Sequence, residues 1–297
     1  GQDFAMIRSM TGYGRGQQLL HGRSITVVIR SVNHRYFEFS CRAPRGCAFL
    51  EDRLKRALQS AISRGKVEVA LTLQTVESRN TSVAVDHALA GQYITALRAL
   101  GEEYALPDDL TLSTICRLPD IFTLCRGEED EEELAADVLS VLQKALEQFV
   151  AMRETEGERL KADVLSRLLT MEEHLSFVEE RSPQTVAEYR ARLTAKLTEL
   201  LNGAVPDENR ILTEVGIIAD RLAVDEETVR LRSHFAQLRK ILESTEPVGR
   251  KLDFLVQEMN RETNTIGSKC SDTAIAGHVV EMKSELEKIR EQIQNIE

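Results

Sequence analysis

SITVVIRSVNHRYFEFSCR, Ser24 to Arg42, contains two runs of alternating side chains. Ile25, Val27 and Ile29 alternate with Thr26, Val28 and Arg30, and Phe37, Phe39 and Cys41 alternate with Glu38, Ser40 and Arg42. A strand turns successive side chains to opposite faces, so each run predicts a strand with one buried face. The polar residues around His34 and Arg35 predict a hairpin turn between them. Outward from this pair, Leu50, Leu54, Leu58 and Ile62 recur every fourth residue and end at Gly65, a residue suited to a left-handed helix cap. Val67, Val69, Leu71 and Leu73 then predict another strand. Upstream, Gly12, Gly14 and Gly16 lie in TGYGRG. A dinucleotide loop would follow a strand and open a helix, whereas this stretch leads toward strands, which favours a glycine-rich turn or bulge beside the sheet. A helix from about Asp86 to Tyr104 and a short helical turn after Ser113, closed by Pro119, complete a mixed sheet-and-helix region.

Beyond the acidic run Glu128 to Glu133 the pattern changes. Leu134, Val138, Leu142, Leu146 and Val150, then Leu160, Val164, Leu168, Met171, Leu175 and Val178, keep helical spacing almost to Ser182. Ser182 and Pro183 read as a cap and first-turn proline of a new helix, and Pro206 and Pro247 punctuate later ones in the same way. A last helix runs from about Thr273 to Ile296. The expected class is α+β: an N-terminal mixed sheet-and-helix domain over residues 6–127, then a C-terminal domain of long α-helices over residues 128–297. Gly1 to Ala5 read as an added leader ahead of a natural start at Met6.

Charge is strongly polarised. The net charge is −10, yet Met6 to Arg79 holds 13 Lys or Arg against 5 Asp or Glu, and Asn80 to Glu297 holds 25 against 42. A basic region of that density fits either phosphate binding or a solubilised sheet surface. With neither a membrane-length apolar run nor a secretory leader in view, a cytoplasmic location is expected. The five cysteines form no CxxC pair and read as reduced, mostly structural thiols.

Three stretches carry candidate chemistry. IRSVNHRYFE, Ile29 to Glu38, gathers Arg30, Asn33, His34, Arg35 and Tyr36, the cations and flat groups that unstacked RNA bases and phosphates need. His34 can serve there as a general acid or base, or be an ordinary surface residue. Arg64 and Lys66 flank Gly65 as phosphate contacts or as helix-end charges. In GRKLDFLVQEMNRETNTIGSK, Gly249 to Lys269, the face bearing Leu252, Leu255 and Met259 explains a helix, while Glu258 and Glu262 stand one turn apart on another side. Like charges at that spacing repel unless a cation relieves them. With Asp253 one turn upstream, Arg250, Lys251, Arg261 and Lys269 nearby, the choice is between a divalent-ion site and a solvated, salt-bridged helix. Asp220, Asp225, Glu226 and Glu227 form a further acidic group, with His234 two turns beyond Glu227. The two groups can share an ion if their helices pack together, or Arg221, Arg230 and Arg232 can neutralise the acids instead.

Taken in order, IRSMTGYGR (Ile7 to Arg15), RSVNHRYFE (Arg30 to Glu38), RGKVEV (Arg64 to Val69), RETEG (Arg153 to Gly157), DEETVRLRSHF (Asp225 to Phe235), the Gly249 to Lys269 block and the ending EKIREQIQNIE make the chain resemble the YicC/YloC endoribonuclease family. The sequence departs from that pattern at Ala223, where relatives carry Asp, and at His34, where some carry Gln. The resemblance implies metal-dependent endonucleolytic cleavage of single-stranded or structured RNA by a ring-like homohexamer using Mn2+ or Mg2+. It assigns Asp253, Glu258, Glu262 and Lys269 to the metal and scissile phosphate; read from the residues themselves, Glu226 and Glu227 are further metal candidates, against which the Ala223 departure counts, and Arg261 or Lys269 would stabilise charge on phosphate. Arg8, Arg15, Arg30, Arg35, Arg64 and Lys66 would hold the RNA backbone, joined by Asn33, His34, Tyr36, Arg250 and Lys251. Two other readings stay open: a non-catalytic RNA-binding oligomer that presents small RNAs to another nuclease, and cleavage through the substrate 2′-hydroxyl with His34 as base.

Overall fold

The computed structural model describes residues 7–77, 81–127, 130–244 and 248–296. The fold is α+β: an N-terminal sheet-and-helix region followed by long helices. Strands β1 (Gly12–Leu20) and β2 (Arg23–Val32) form an antiparallel hairpin closed by His21 and Gly22, both at positive φ (46° and 75°), the backbone a two-residue turn requires. Strand β3 (Phe37–Arg42), helix α1 (Leu50–Gln59) and strand β4 (Gly65–Thr75) follow, and the sheet order is β1-β2-β4-β3.

This topology overturns the expected hairpin at His34 and Arg35. β2 pairs with β1 and β4, while β3 lies parallel to β4 on its far side, as a strand returned through a helix must. The segment from Asn33 to Tyr36 therefore crosses the start of β4, where the Gly65 N–H donates to the Tyr36 carbonyl at 3.3 Å. Gly65, expected as a helix cap, instead opens β4 at φ 114°, with the Val32 carbonyl 3.3 Å from where a Cβ would sit. The expectation of a turn or bulge for TGYGRG also fails, because these residues are β1 itself. Their missing side chains allow a helix to lie directly on the strand: a Cβ on Gly14 would stand 2.1 Å from the Ala145 carbonyl oxygen, and one on Gly16 2.4 Å from that of Val141.

That helix is α4 (Glu131–Leu200), which begins at Asp130, whose side chain accepts from the N–H groups of Glu132 and Glu133. Its 70 residues span about 105 Å and serve two cores. Leu134 to Phe149 close over Ile25, Val27, Ile29, Val67, Val69 and the inner face of α1. Leu160 to Val178 join the remaining helices, α5 (Glu208–Leu222), α6 (Asp225–Leu242), α7 (Gly249–Lys269) and α8 (Thr273–Ile293), of which α6 to α8 supply most of the rest of that core, completed by Ile7, Val224, Val248 and Ile296. The core thus changes within α4, not at its start. Helix α4 also continues through Pro183, where a new helix was expected. A proline removes a donor and kinks a helix, and here Arg181 bridges to Glu188 (2.6 Å) and Asp272 (2.7 Å) across that point. Pro206 stands one residue before the cap Asp207 of α5 instead of inside it, and Pro247 lies outside the described residues.

Between β4 and α4 an arm stands outside both cores. Strands β5 (Thr81–Val85) and β6 (Phe122–Arg126) form a ribbon the sequence reading did not anticipate, carrying helices α2 (His87–Glu103) and α3 (Leu112–Ile115). Asp86 caps α2 through the Leu89 N–H, within the helix expected there.

The N-terminal segment is pinned between the ends of the chain. Ser9 N–H donates to the Arg153 carbonyl and Met10 N–H to that of Asn295. The fully buried Arg153 donates Nε to the Ser9 carbonyl at 2.6 Å, and burial, then Arg8, pushes its pKa down to about 10 against the pull of Glu154. Gly157 leaves room for the Ile7 backbone, whose oxygen lies 1.9 Å from a Cβ position.

Helices α4 and α8 also meet at a histidine pair, with His174 Nδ1 2.7 Å from His278 Nδ1 and Phe177 stacked on His278. Burial, then the neighbouring His174, pushes His278 down, against Glu281. A histidine with a depressed folded pKa stabilises the fold above its ordinary value of 6.5, and the benefit is lost as pH falls below it. We expect the melting temperature to drop by a few degrees between about pH 7.5 and about pH 5.5, and His278→Gln to flatten that slope. An equal slope in the variant would assign it to other groups.

Candidate active site

Helices α6 and α7 lie side by side and antiparallel. Leu231, Phe235, Leu238 and Leu242 on α6 and Leu252, Leu255, Val256 and Met259 on α7 are buried in the helical core. This packing carries polar residues on the flanks of both helices into one place. Ligand atoms of His234, Glu258 and Glu262 all lie within 4.8 Å of one another. Glu262 is only 6% exposed, a costly position for a carboxylate without a close cation. Among the described residues, the cation in ion-pair reach of it is Arg230, at 3.7 Å, which is shared with Glu226 at 3.2 Å. Glu258 makes no ion pair among the described residues, and Nδ1 of His234 is buried with no hydrogen-bond partner. Two carboxylates, one buried, face an imidazole whose buried nitrogen is unsatisfied, a donor set with room for a cation.

Two turns from His234 toward the start of α6, Glu227 is 4% exposed and accepts from Lys269 Nζ at 2.7 Å. Lys269 also donates to the Ala223 carbonyl at the end of α5, at 3.2 Å. Burial pushes the Glu227 carboxyl up, but the Lys269 hydrogen bond, a backbone hydrogen bond and the charges of Lys269 and Arg230 outweigh it and hold the group below its ordinary value.

The other end of α7 meets the basic half of the chain. Nη1 of Arg64 lies 2.9 Å from where a Cβ on Gly249 would be, and its Nε donates to the Arg35 carbonyl at 3.3 Å. Gly249 thus seats Arg64 against the first turn of α7, which carries Arg250 and Lys251.

Family models match this chain in two consecutive stretches. The N-terminal region of the YicC-like endoribonucleases matches residues 7–162, and their C-terminal region matches residues 178–297. The chain belongs to the YicC-like endoribonuclease family. It is 39% identical over 293 residues to a probable endoribonuclease YicC of Clostridioides difficile (strain 630), and 33% identical over 292 residues to a probable endoribonuclease YicC of Haemophilus influenzae (strain ATCC 51907 / DSM 11121 / KW20 / Rd). Each alignment covers 98% of this chain and 100% of the relative.

In this YicC-like chain the expected site residues divide. Glu258 and Glu262 come together, with His234 as third member. The sequence placed His234 two turns beyond Glu227, but only the α6–α7 packing brings it to the carboxylates. Asp253 and Glu226 are exposed and lie outside this group, and Glu227 is held by Lys269. Lys269 is engaged in that buried pair, whereas Arg261 is exposed and makes no ion pair among the described residues.

Of the expected RNA contacts, Arg15, Arg30 and Lys66 are exposed on the face of the sheet turned away from α4. Arg30 stands 5.6 Å over the Tyr13 ring, and Lys66 lies 3.9 Å from Glu38 on the next strand. Asn33, Arg35 and Tyr36 are exposed in the crossing loop, with Arg35 5.4 Å over the Tyr36 ring. His34 Nδ1 is 3.1 Å from the Tyr36 carbonyl and its Nε2 3.5 Å from Glu38. Arg8 pairs with Glu154 at 2.7 Å beside buried Arg153, a place in the fold rather than on the sheet face.

A second group, His21 with Glu133 and Asp137, is already balanced. His21 Nδ1 stands 2.9 and 2.8 Å from the two carboxylates, and Arg23 lies 4.0 and 3.7 Å from them. These pairs clamp the β1–β2 turn onto α4.

Proposed function

We propose that the α6–α7 pair is the cleavage centre of a metal-dependent endoribonuclease acting on single-stranded or structured RNA. The observation that carries this reading is the convergence of His234, Glu258 and Glu262 on one point, beside helix-borne cations. Their chemistry fits a divalent ion: one imidazole and two carboxylates suit Mn2+ better than Mg2+, which prefers oxygen ligands alone. Such an ion, when bound, lowers the pKa of water and offsets phosphate charge. Arg230 and exposed Arg261 supply fixed positive charge for a phosphate that gains charge during cleavage. Arg15, Arg30 and Lys66 on the open sheet face, with Arg35, Arg64, Arg250 and Lys251 near the start of α7, hold the RNA backbone. Assembly of several copies would multiply this grip. It is supported by the arm, where Tyr104, Leu106, Leu112 and Leu124 are each more than 60% exposed. A six-membered ring, in the cytoplasm, is the form we propose, and light scattering tests its mass.

The decisive assay is cleavage of labelled RNA by wild type and by Glu258→Gln, each with and without chelator. Wild type should cut and stop when chelated, and the variant should be slower by roughly 100-fold or more. Equal cutting by both proteins would remove α6 and α7 from the chemistry. Binding without cutting by either would favour an oligomer that presents RNA to another nuclease. Chelator-resistant cutting that leaves 2′,3′-cyclic phosphate ends would move the reaction to the 2′-hydroxyl and His34.

A further inference from the structure

We infer that Phe254 is a stacking platform for one unpaired RNA base, which makes single-stranded segments the class of substrate that α7 receives. The apolar face of α7 is fully used by Leu252, Leu255, Val256 and Met259, all buried. Phe254 is not part of it and is 60% exposed. It lines an open recess with Gln237, Ile241, Arg250, Lys251 and Leu255. An aromatic ring beside two cations matches what a nucleotide presents: a flat apolar face and an anionic linkage. Arg64, seated against Gly249, extends the positive charge toward Arg35 and Tyr36 of the crossing loop. Phe254, Glu258 and Glu262 follow at four-residue steps, about 6 Å apart along one side of the helix. A strand whose base rests on Phe254 is thereby led toward the carboxylate–histidine group. In an A-form duplex both faces of a base are already stacked, so the platform selects against paired RNA.

The inference rests on RNA as the ligand of the proposed centre, and its test is chosen to be independent of cleavage. The chain contains no tryptophan, so Phe254→Trp places a single fluorescent reporter in the recess. With metal chelated, a single-stranded oligonucleotide should quench its emission saturably, and a duplex of the same sequence should not. By anisotropy, Phe254→Ala should weaken single-strand binding by about 5- to 100-fold and leave duplex binding unchanged, with Phe254→Tyr close to wild type. Unchanged single-strand affinity in Phe254→Ala would overturn the inference. So would a fall in its assembled mass by light scattering, since Phe254 would then be a contact between copies of the chain. Should Glu258→Gln cut normally while these binding results hold, the cleavage centre is misplaced and the platform stands. If Glu258→Gln is inactive and Phe254→Ala binds normally, the platform alone falls.

Discussion

Gly14→Ala is expected to cost more than about 4 kcal/mol, enough to leave much of the chain unfolded near its ordinary working temperature. The added methyl would meet the Ala145 carbonyl oxygen at 2.1 Å and the Phe149 amide nitrogen at 2.8 Å. Both are backbone atoms of α4, so no side chain can rotate away, and the helix itself must retreat from β1. Retreat would open gaps between Val138, Leu142 and Phe149 on one side and Ile25, Val27 and Ile29 on the other, all buried in one core. The control is the same substitution at Gly91 in α2, where nothing lies within 4 Å of the new methyl. There alanine should stabilise by up to about 1 kcal/mol, because it lowers the entropy of the unfolded chain without strain. Urea unfolding of the two variants should therefore move in opposite directions. A wild-type midpoint for Gly14→Ala would contradict the close approach of helix and strand.

The glycines show where the sequence could and could not be read. Alternation and four-residue spacing report local burial, so β2, β3, β4, α1 and most helices were legible before their neighbours were known. Strand order was not, because it depends on contacts distant in sequence. The two-residue turn that does form, His21–Gly22, lacks the usual Asn-Gly signal, whereas the polar stretch at His34 looked like a turn and proved to be a crossing. Pro183 was misread because a local cap signal was outweighed by contacts on both sides of it. At the site, Glu258 and Glu262 could be paired on one helix from their spacing alone. His234 required the packing of a second helix. Arg8 and Lys269 looked free for phosphate because their acidic partners, Glu154 and Glu227, lie 146 and 42 residues away. Charge is visible in a sequence, and its neutralisation is not.

Lys269→Met tests that last distinction. If Lys269 serves the fold, removing it leaves the buried Glu227 without its cation and should cost about 3 kcal/mol, whether or not RNA is present. Lys269 keeps some contact with solvent, which places the cost at the low end for a broken buried pair. The pH dependence has a definite sign. In wild type the Glu227 pKa is depressed, so its contribution is present above the ordinary value of 4.5 and lost as pH falls through the folded value. In Lys269→Met the backbone hydrogen bond and the Arg230 charge remain but both contributions of Lys269 are gone, so burial weighs more, the pKa rises relative to wild type, and the variant recovers as the carboxyl takes up its proton. The gap in unfolding free energy should therefore narrow as pH is lowered toward about 4. Replacing Glu227 as well, in Glu227→Met with Lys269→Met, removes both charges and should restore most of the loss. A single variant as stable as wild type, with cleavage lost, would instead return Lys269 to the phosphate.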